Sequence, residues 1–321
     1  MTNMRIWALA LLRLCGLAAF VACAALTSSC SSDEDTIVVR LQSGPLATVA
    51  PDTHVDDPPL RFVLAGGLAA ERSALPYARF ANALTGALRR HVEIVRRRTY
   101  AELNELLRTG RAEAGILCPG AFAVGREEFG LRAVLTATVD DKATHQALVV
   151  VRRDSGRKSL DELRGAVFAF TDPLSASGYQ YVATTLLARG TNAAAFFKRT
   201  IFTYSHDNTI QAVRDGIADG GSVHSLVWAS MLSETPSLGE ALVVVESSPD
   251  LPSNPVVVSP QAPAGLAEAL SHALLDMPSS SAGRGVLMDL GISGFVKLPD
   301  AAYDSVVRSW RELGVIPAPP P

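Results

Sequence analysis

From Leu60 onward, apolar runs of strand length alternate with stretches of helical spacing. Arg61-Phe62-Val63-Leu64-Ala65 is an almost continuous apolar run, as expected of a strand covered on both faces. Over 76–90, Tyr77, Phe80, Leu84 and Leu88 recur three or four residues apart, which predicts a helix with one core-facing stripe. Val92-Glu93-Ile94-Val95 predicts a second strand, and 100–108 a second helix with Leu103, Leu106 and Leu107 inside. Ala114-Gly115-Ile116-Leu117 predicts a third strand. This order implies a mostly parallel sheet flanked by helices, because parallel neighbours need a crossover connection.

The rhythm then restarts. Strands are predicted at 147–151 and 166–170, with a short helical turn at 160–164 between them and a helix over 178–187. A helix over 210–216 would set Ile210, Val213 and Ile217 on one face, and Asp219-Gly220-Gly221-Ser222-Val223 opens the next strand. Strands at 241–245 and 255–259 follow, then helices at 266–275 and 302–313. The fold class is therefore α/β, with two α/β units and a late return of strands. Lobe 1 is expected over 60–147, lobe 2 over 148–248 and the return to lobe 1 over 249–313. Residues 314–321 read as a flexible Pro-rich tail. In such folds ligands lie at the carboxyl ends of strands and at helix N-termini.

Ahead of this body, Arg5 and Arg13 precede the uncharged apolar run Leu14 to Leu26. A bilayer-spanning helix needs roughly 20 apolar residues, so this run reads as a signal-peptide core. It closes on Leu26-Thr27-Ser28-Ser29-Cys30, which resembles a bacterial lipobox. Residues 1–29 are thus expected as a lipoprotein-type signal peptide, with Cys30 lipidated as the mature N-terminus. Phe20-Val21-Ala22-Cys23 is a competing site, and a plain secretory signal with an incidental Cys30 is the simpler alternative. Residues 30–59, rich in Ser, Asp, Thr and Pro, read as a tether, with a short extra strand possible over 37–41.

The formal net charge of −3 gives no global attraction to nucleic acid or anionic lipid, so any anion site must be local. Of the four cysteines, Cys15, Cys23, Cys30 and Cys118, no pair has metal-ligand or disulfide-framework spacing in the folded region. No P-loop or dinucleotide fingerprint occurs, and neither a cofactor nor a metal is expected. The basic residues Arg89, Arg90, Arg96, Arg97 and Arg98 read as a solvated face.

The most informative segment is Ala169-Phe170-Thr171-Asp172-Pro173-Leu174-Ser175-Ala176-Ser177-Gly178-Tyr179. A strand ends, a turn follows, and a helix begins near Ser177, where free N–H groups and the positive dipole end favour an anion. Ser175 and Ser177 add hydroxyls, the Ala176 N–H a backbone donor, and Gly178 close access to the backbone. Simple N-capping by either serine is the alternative. In Tyr204-Ser205-His206-Asp207-Asn208, His206 is placed in the loop before a helix, where imidazole can donate to an anion.

Together these segments resemble a family. Arg153-Asp154-Ser155-Gly156 with Leu160-Asp161-Glu162-Leu163-Arg164-Gly165 is similar to the "R-D-S-G…S-L-x-D-L-x-G" stretch of phosphate/phosphite/phosphonate-binding proteins of ABC transporters. Asp172 to Tyr179 resembles their "D-P-x-S-T-S-G-Y" loop, and Ser205-His206-Asp207 their "S-H-D". Ser247 to Pro255 resembles "S-P-x-I-P-x-D-P". The resemblance implies a two-lobed type II periplasmic-binding-protein fold and no catalytic residues. It also implies an extracytoplasmic monomer that captures a phosphonate-, phosphite- or phosphate-type oxyanion and docks on an ABC permease. By the same resemblance the ligand is held by Ser175, Ala176, Ser177, Gly178, His206 and Tyr100. His145 replaces a second tyrosine, and Asn254 replaces a carboxylate that members binding an amino-substituted phosphonate carry. Near their other carboxylate stands Leu226. A bound anion would then be expected to raise the pKa of both His206 and His145. A sensor lipoprotein of the same fold and a secreted Ser/His esterase are the competing readings.

Overall fold

The computed structural model describes residues 58–65 and 74–317, so the signal-peptide, Cys30 and tether expectations lie outside the described residues. Strand β1 (Leu60–Leu64) is followed by α1 (Ala74–Leu88), β2 (Val92–Val95), α2 (Tyr100–Arg108), β3 (Ala114–Ile116), α3 (Pro119–Phe129) and β4 (Arg132–Thr138). Next come β5 (Thr144–His145), β6 (Ala147–Arg152), β7 (Val167–Phe170), α4 (Tyr181–Ala188), α5 (Ala193–Phe196), β8 (Arg199–Phe202) and α6 (His206–Arg214). Then follow β9 (Gly220–His224), α7 (Ser225–Glu234), α8 (Leu238–Ala241), β10 (Leu242–Ser247), β11 (Leu251–Pro252) and β12 (Pro255–Val258). The chain closes with α9 (Leu266–Asp276), α10 (Ser281–Asp289), β13 (Gly294–Val296) and α11 (Asp304–Glu312).

The strands form a six-stranded sheet, β13-β4-β12-β3-β1-β2, and a five-stranded sheet, β10-β6-β9-β7-β8. Each has a parallel part, β2-β1-β3 in the first and β8-β7-β9 in the second, extended by antiparallel strands. The chain leaves the first sheet after Thr138 and returns to it at Pro255. Between the sheets, β5 pairs antiparallel with β11, His145 opposite Leu251.

Alternation along the buried strands decides which helix layer each side chain meets. In β1, Phe62 and Leu64 pack with Phe80, Leu84, Leu270 and Leu287, while Val63 joins Leu103, Phe122 and Trp310 on the other face. In the second sheet, Val150 and Ala169 meet Ile210 and Val213, whereas Val151 and Phe168 meet Leu186 and Phe197.

Three expectations are corrected. The helix predicted over 210–216 begins at His206, because Ser205 caps it by accepting from the Asn208 N–H at 3.2 Å. Ile217 is thereby left past the helix end and exposed, off the face shared by Ile210 and Val213. The start of the expected C-terminal tail is packed: Ile316 is buried against the α11 core and its N–H donates to the Trp310 carbonyl.

Candidate functional site

The loop after β7 is shaped by its own side chains. Asp172 Oδ1 accepts from the Leu174 N–H at 2.8 Å, and Oδ2 from the Tyr100 N–H at 3.1 Å, joining the loop to the first residue of α2. Tyr100 is buried there, behind a capping box of Thr99 and Glu102. Ser175 Oγ accepts from the Gly178 N–H at 2.9 Å, so this serine is the N-cap of the Ala176–Gln180 π-turn that leads into α4. The Ala176 N–H points at the buried Cys118 sulfur, 3.4 Å away, where burial pushes the thiol pKa up. A Cβ on Gly178 would lie 2.5 Å from Thr171 Cβ, so packing requires this glycine.

These contacts correct the expected roles of the loop. The Ala176 and Gly178 N–H groups are bonded within the protein, and Ser175 supplies a cap. Ser177 differs: its hydroxyl is fully buried with no partner among the described residues, while its carbonyl accepts from Ser222 Oγ at 2.6 Å.

His206 is the first residue of α6 and is fully buried. Its Nδ1 accepts from the His224 backbone N–H at 3.1 Å and has Thr171 Oγ1 at the same distance. Its Nε2 has no partner. His224, at the end of β9, caps α7 with its ring: Nδ1 accepts from the Leu226 N–H at 3.1 Å. Its Nε2 closes no hydrogen bond of good geometry among the described residues, although the Asn254 side chain lies near enough to favour the charged ring. The His145 ring stacks on that of His224, with centroids 3.8 Å apart and planes within 3°, and His206 meets His224 edge-on at 5.7 Å. Neither nitrogen of His145 closes a hydrogen bond, although the Pro252 backbone lies near enough to favour the charged ring slightly. Asn254, just before β12, is buried beside the His224 ring, and neither amide atom closes a hydrogen bond of good geometry among the described residues.

Burial pushes the pKa of His145 down to about 3, helped by repulsion from His206, and burial does the same to His206 against the smaller opposing pull of the Asp207 carboxylate. Burial followed by repulsion from His145 and His206 holds His224 well below the ordinary range. At neutral pH the cluster is therefore uncharged. Leaving a buried polar group without a partner costs about 1–3 kcal/mol, so Ser177, the three imidazoles and Asn254 form a set of buried polar groups with hydrogen-bonding capacity left over among the described residues. What they offer is mostly donors, and among the described residues no lysine or arginine is buried beside them. Such a wall suits a small body with several acceptor oxygens.

An adjoining cavity of about 370 Å³ is lined by Tyr77, Arg97, Arg98, Tyr100, Tyr204 and Asp207 among others. The Arg98 guanidinium lies 4.5 Å from the Tyr204 ring centre. Part of the basic stretch read as a solvated face thus borders a cavity.

The expected residues Tyr100, His145, Ser177, His206 and Asn254 are all buried, and the two histidines share one cluster with His224. His224 was not among the expected residues. The available signal was its place at the carboxyl end of a strand, directly before a helix.

The profile of the family described as "ABC transporter, phosphonate, periplasmic substrate-binding protein" matches residues 68–303. Among solved structures, a binding protein component of an ABC phosphonate transporter from Pseudomonas aeruginosa superposes with a TM-score of 0.73. It is 18% identical, over 82% of this chain and 90% of that one. A Prochlorococcus marinus protein in complex with methylphosphonate gives a TM-score of 0.70 at 18% identity, over 80% of this chain and 98% of that one. A Xanthomonas citri protein bound to ATP gives 0.67 at 19% identity, over 82% of this chain and all of the other.

Proposed function

The chain belongs to the phosphonate family of ABC-transporter periplasmic substrate-binding proteins, and from that premise we propose that it captures a small phosphorus oxyanion through Ser177, His206, His145, Asn254 and Tyr100. The family is a transporter component rather than an enzyme and works outside the cytoplasm. The observation that carries the assignment is the group of buried polar atoms of Ser177, His145, His206 and Asn254 that close no hydrogen bond among the described residues. We take the sheets as two lobes that close on the ligand, with β5 and β11 as the hinge.

Methylphosphonate, the ligand of the Prochlorococcus marinus neighbour, is the first candidate here, with phosphite and phosphate beside it. An amino-substituted phosphonate fits poorly, because Asn254 and Leu226, at the two positions expected to carry carboxylates, offer none to its ammonium group. The permease of an ABC importer is the proposed partner, and a monomer anchored through a lipid on Cys30 the proposed working form. Thermal shift with phosphate, phosphite, methylphosphonate and aminoethylphosphonate tests the ligand class. One of the first three should raise the melting temperature and the last should not. No stabilisation by any of the first three would contradict the reading. Cys30→Ser should release the protein from the membrane fraction; unchanged retention and processing would remove the anchor.

A further inference from the structure

We infer that His224 is a third ligand-contacting imidazole, that His206 and His224 act as fixed, uncharged Nε2–H donors, and that His145 alone is free to take up a proton when the oxyanion binds. The inference rests on the oxyanion reading above and deepens it by assigning a protonation role to each ring.

The geometry is decided by backbone donors. A peptide N–H can only donate, so an imidazole nitrogen facing one must carry a lone pair. His206 Nδ1 faces the His224 N–H and His224 Nδ1 faces the Leu226 N–H, each at 3.1 Å. A neutral ring with Nδ1 so engaged carries its proton on Nε2. In both rings Nε2 is buried; that of His206 has no partner among the described residues, and that of His224 has only the Asn254 side chain near it, which favours a proton on the ring. Charging either ring would set two N–H groups head to head, breaking the β9–α6 link at His206 or uncapping α7 at His224. Both histidines are thus donors in every state that keeps the local fold.

His145 has no such constraint. Neither nitrogen faces a backbone N–H, the one backbone group near the ring, at Pro252, favours the charged form, and the ring touches the others through its stacked face on His224. The remaining titratable groups around the cluster are already engaged or stand outside it. Asp207 is bonded by the Ser205 hydroxyl, and Asp172 by two backbone N–H groups. The Cys118 thiol faces the Ala176 N–H, and Tyr303 donates to the Ser253 carbonyl beside Asn254. Tyr100, Arg97 and Arg98 line the adjoining cavity. A bound anion stabilises a nearby imidazolium, and only His145 can become one. The inference thus assigns the proton to His145 rather than to both His206 and His145.

The test begins without ligand. Long-range ¹H–¹⁵N spectra of the free protein should show the rings of His206 and His224 as Nε2–H tautomers that do not titrate between about pH 5.5 and 8.5. Titration of either ring there overturns the inference even if methylphosphonate binds tightly. Calorimetry with methylphosphonate in two buffers of different ionisation enthalpy then counts protons. Methylphosphonate itself titrates near neutral pH, so the count is read as a difference: the wild type should take up at most one proton more than His145→Phe, and equal counts in the two are a refutation. His224→Phe keeps a ring on His145 but removes the donor, and affinity should fall roughly 10- to 100-fold, with partial recovery in His224→Gln. Wild-type affinity in His224→Phe would also overturn the assignment. The spectra need no variant, so a His224→Phe that fails to fold leaves the inference open to refutation.

Discussion

Ser175 commits its oxygen to the Gly178 N–H, whereas Ser177, two residues on, is buried with its hydroxyl unpartnered. Their substitutions should separate cleanly. Ser175→Ala removes an N-cap and should cost about 1 kcal/mol of stability, read by urea unfolding. Ser177→Ala should leave stability near wild type and weaken oxyanion binding roughly 10- to 100-fold, read by calorimetry. Equal effects of the two on affinity would contradict the division. The loop was legible in the sequence as a serine-rich strand-to-helix turn, but the division of labour was not. Which serine caps depends on the π-turn geometry, and which N–H is free depends on Cys118, distant in sequence. His145 and His206 were legible one at a time, and the stacking that gathers them around His224 was not.

At the scale of elements, α6 sets the orientation of His206, since the residue after the Ser205 cap is the first of the helix. Tyr204, just before the cap, is held at a φ of 60°, a left-handed conformation that strains a bulky residue. Ser205→Ala should therefore lower stability by about 1 kcal/mol and also weaken binding, because the ring loses its fixed approach. A loss of stability with unchanged affinity would show that the cap does not position His206. Elements with clean periodicity, such as α1 and β2, were readable from the sequence within about two residues. Helix α3 was not: its first seven residues, Pro119 to Gly125, are all buried, so it has no polar face to betray a period. Strand β4 was missed for another reason: its first three residues are exposed or half-buried and its last four all buried, so burial does not alternate along it, and it is held by pairing with β12 and β13.

For the whole molecule, the neutral histidine cluster makes ligand-free stability depend on pH. The folded pKa values of His145 and His206 are depressed to about 3 and that of His224 lies well below its usual value, whereas unfolded histidine titrates near 6.5. The unfolded chain therefore binds more protons as pH falls below about 6.5. Stability should be full above that pH and decline toward pH 3, by up to about 1.4 kcal/mol per pH unit for each ring. Urea unfolding at pH 7 and pH 5 checks this, and equal stability at the two would mean the rings are not buried and neutral. The central claim is that the cluster between the two sheets is the binding site for a phosphorus oxyanion. Its most direct test is calorimetric titration of methylphosphonate, phosphite and phosphate into wild type and Ser177→Ala. The account predicts one saturable site for at least one of these ligands, with affinity falling roughly 10- to 100-fold in the variant. No binding by the wild type, or equal affinity in Ser177→Ala, would contradict it.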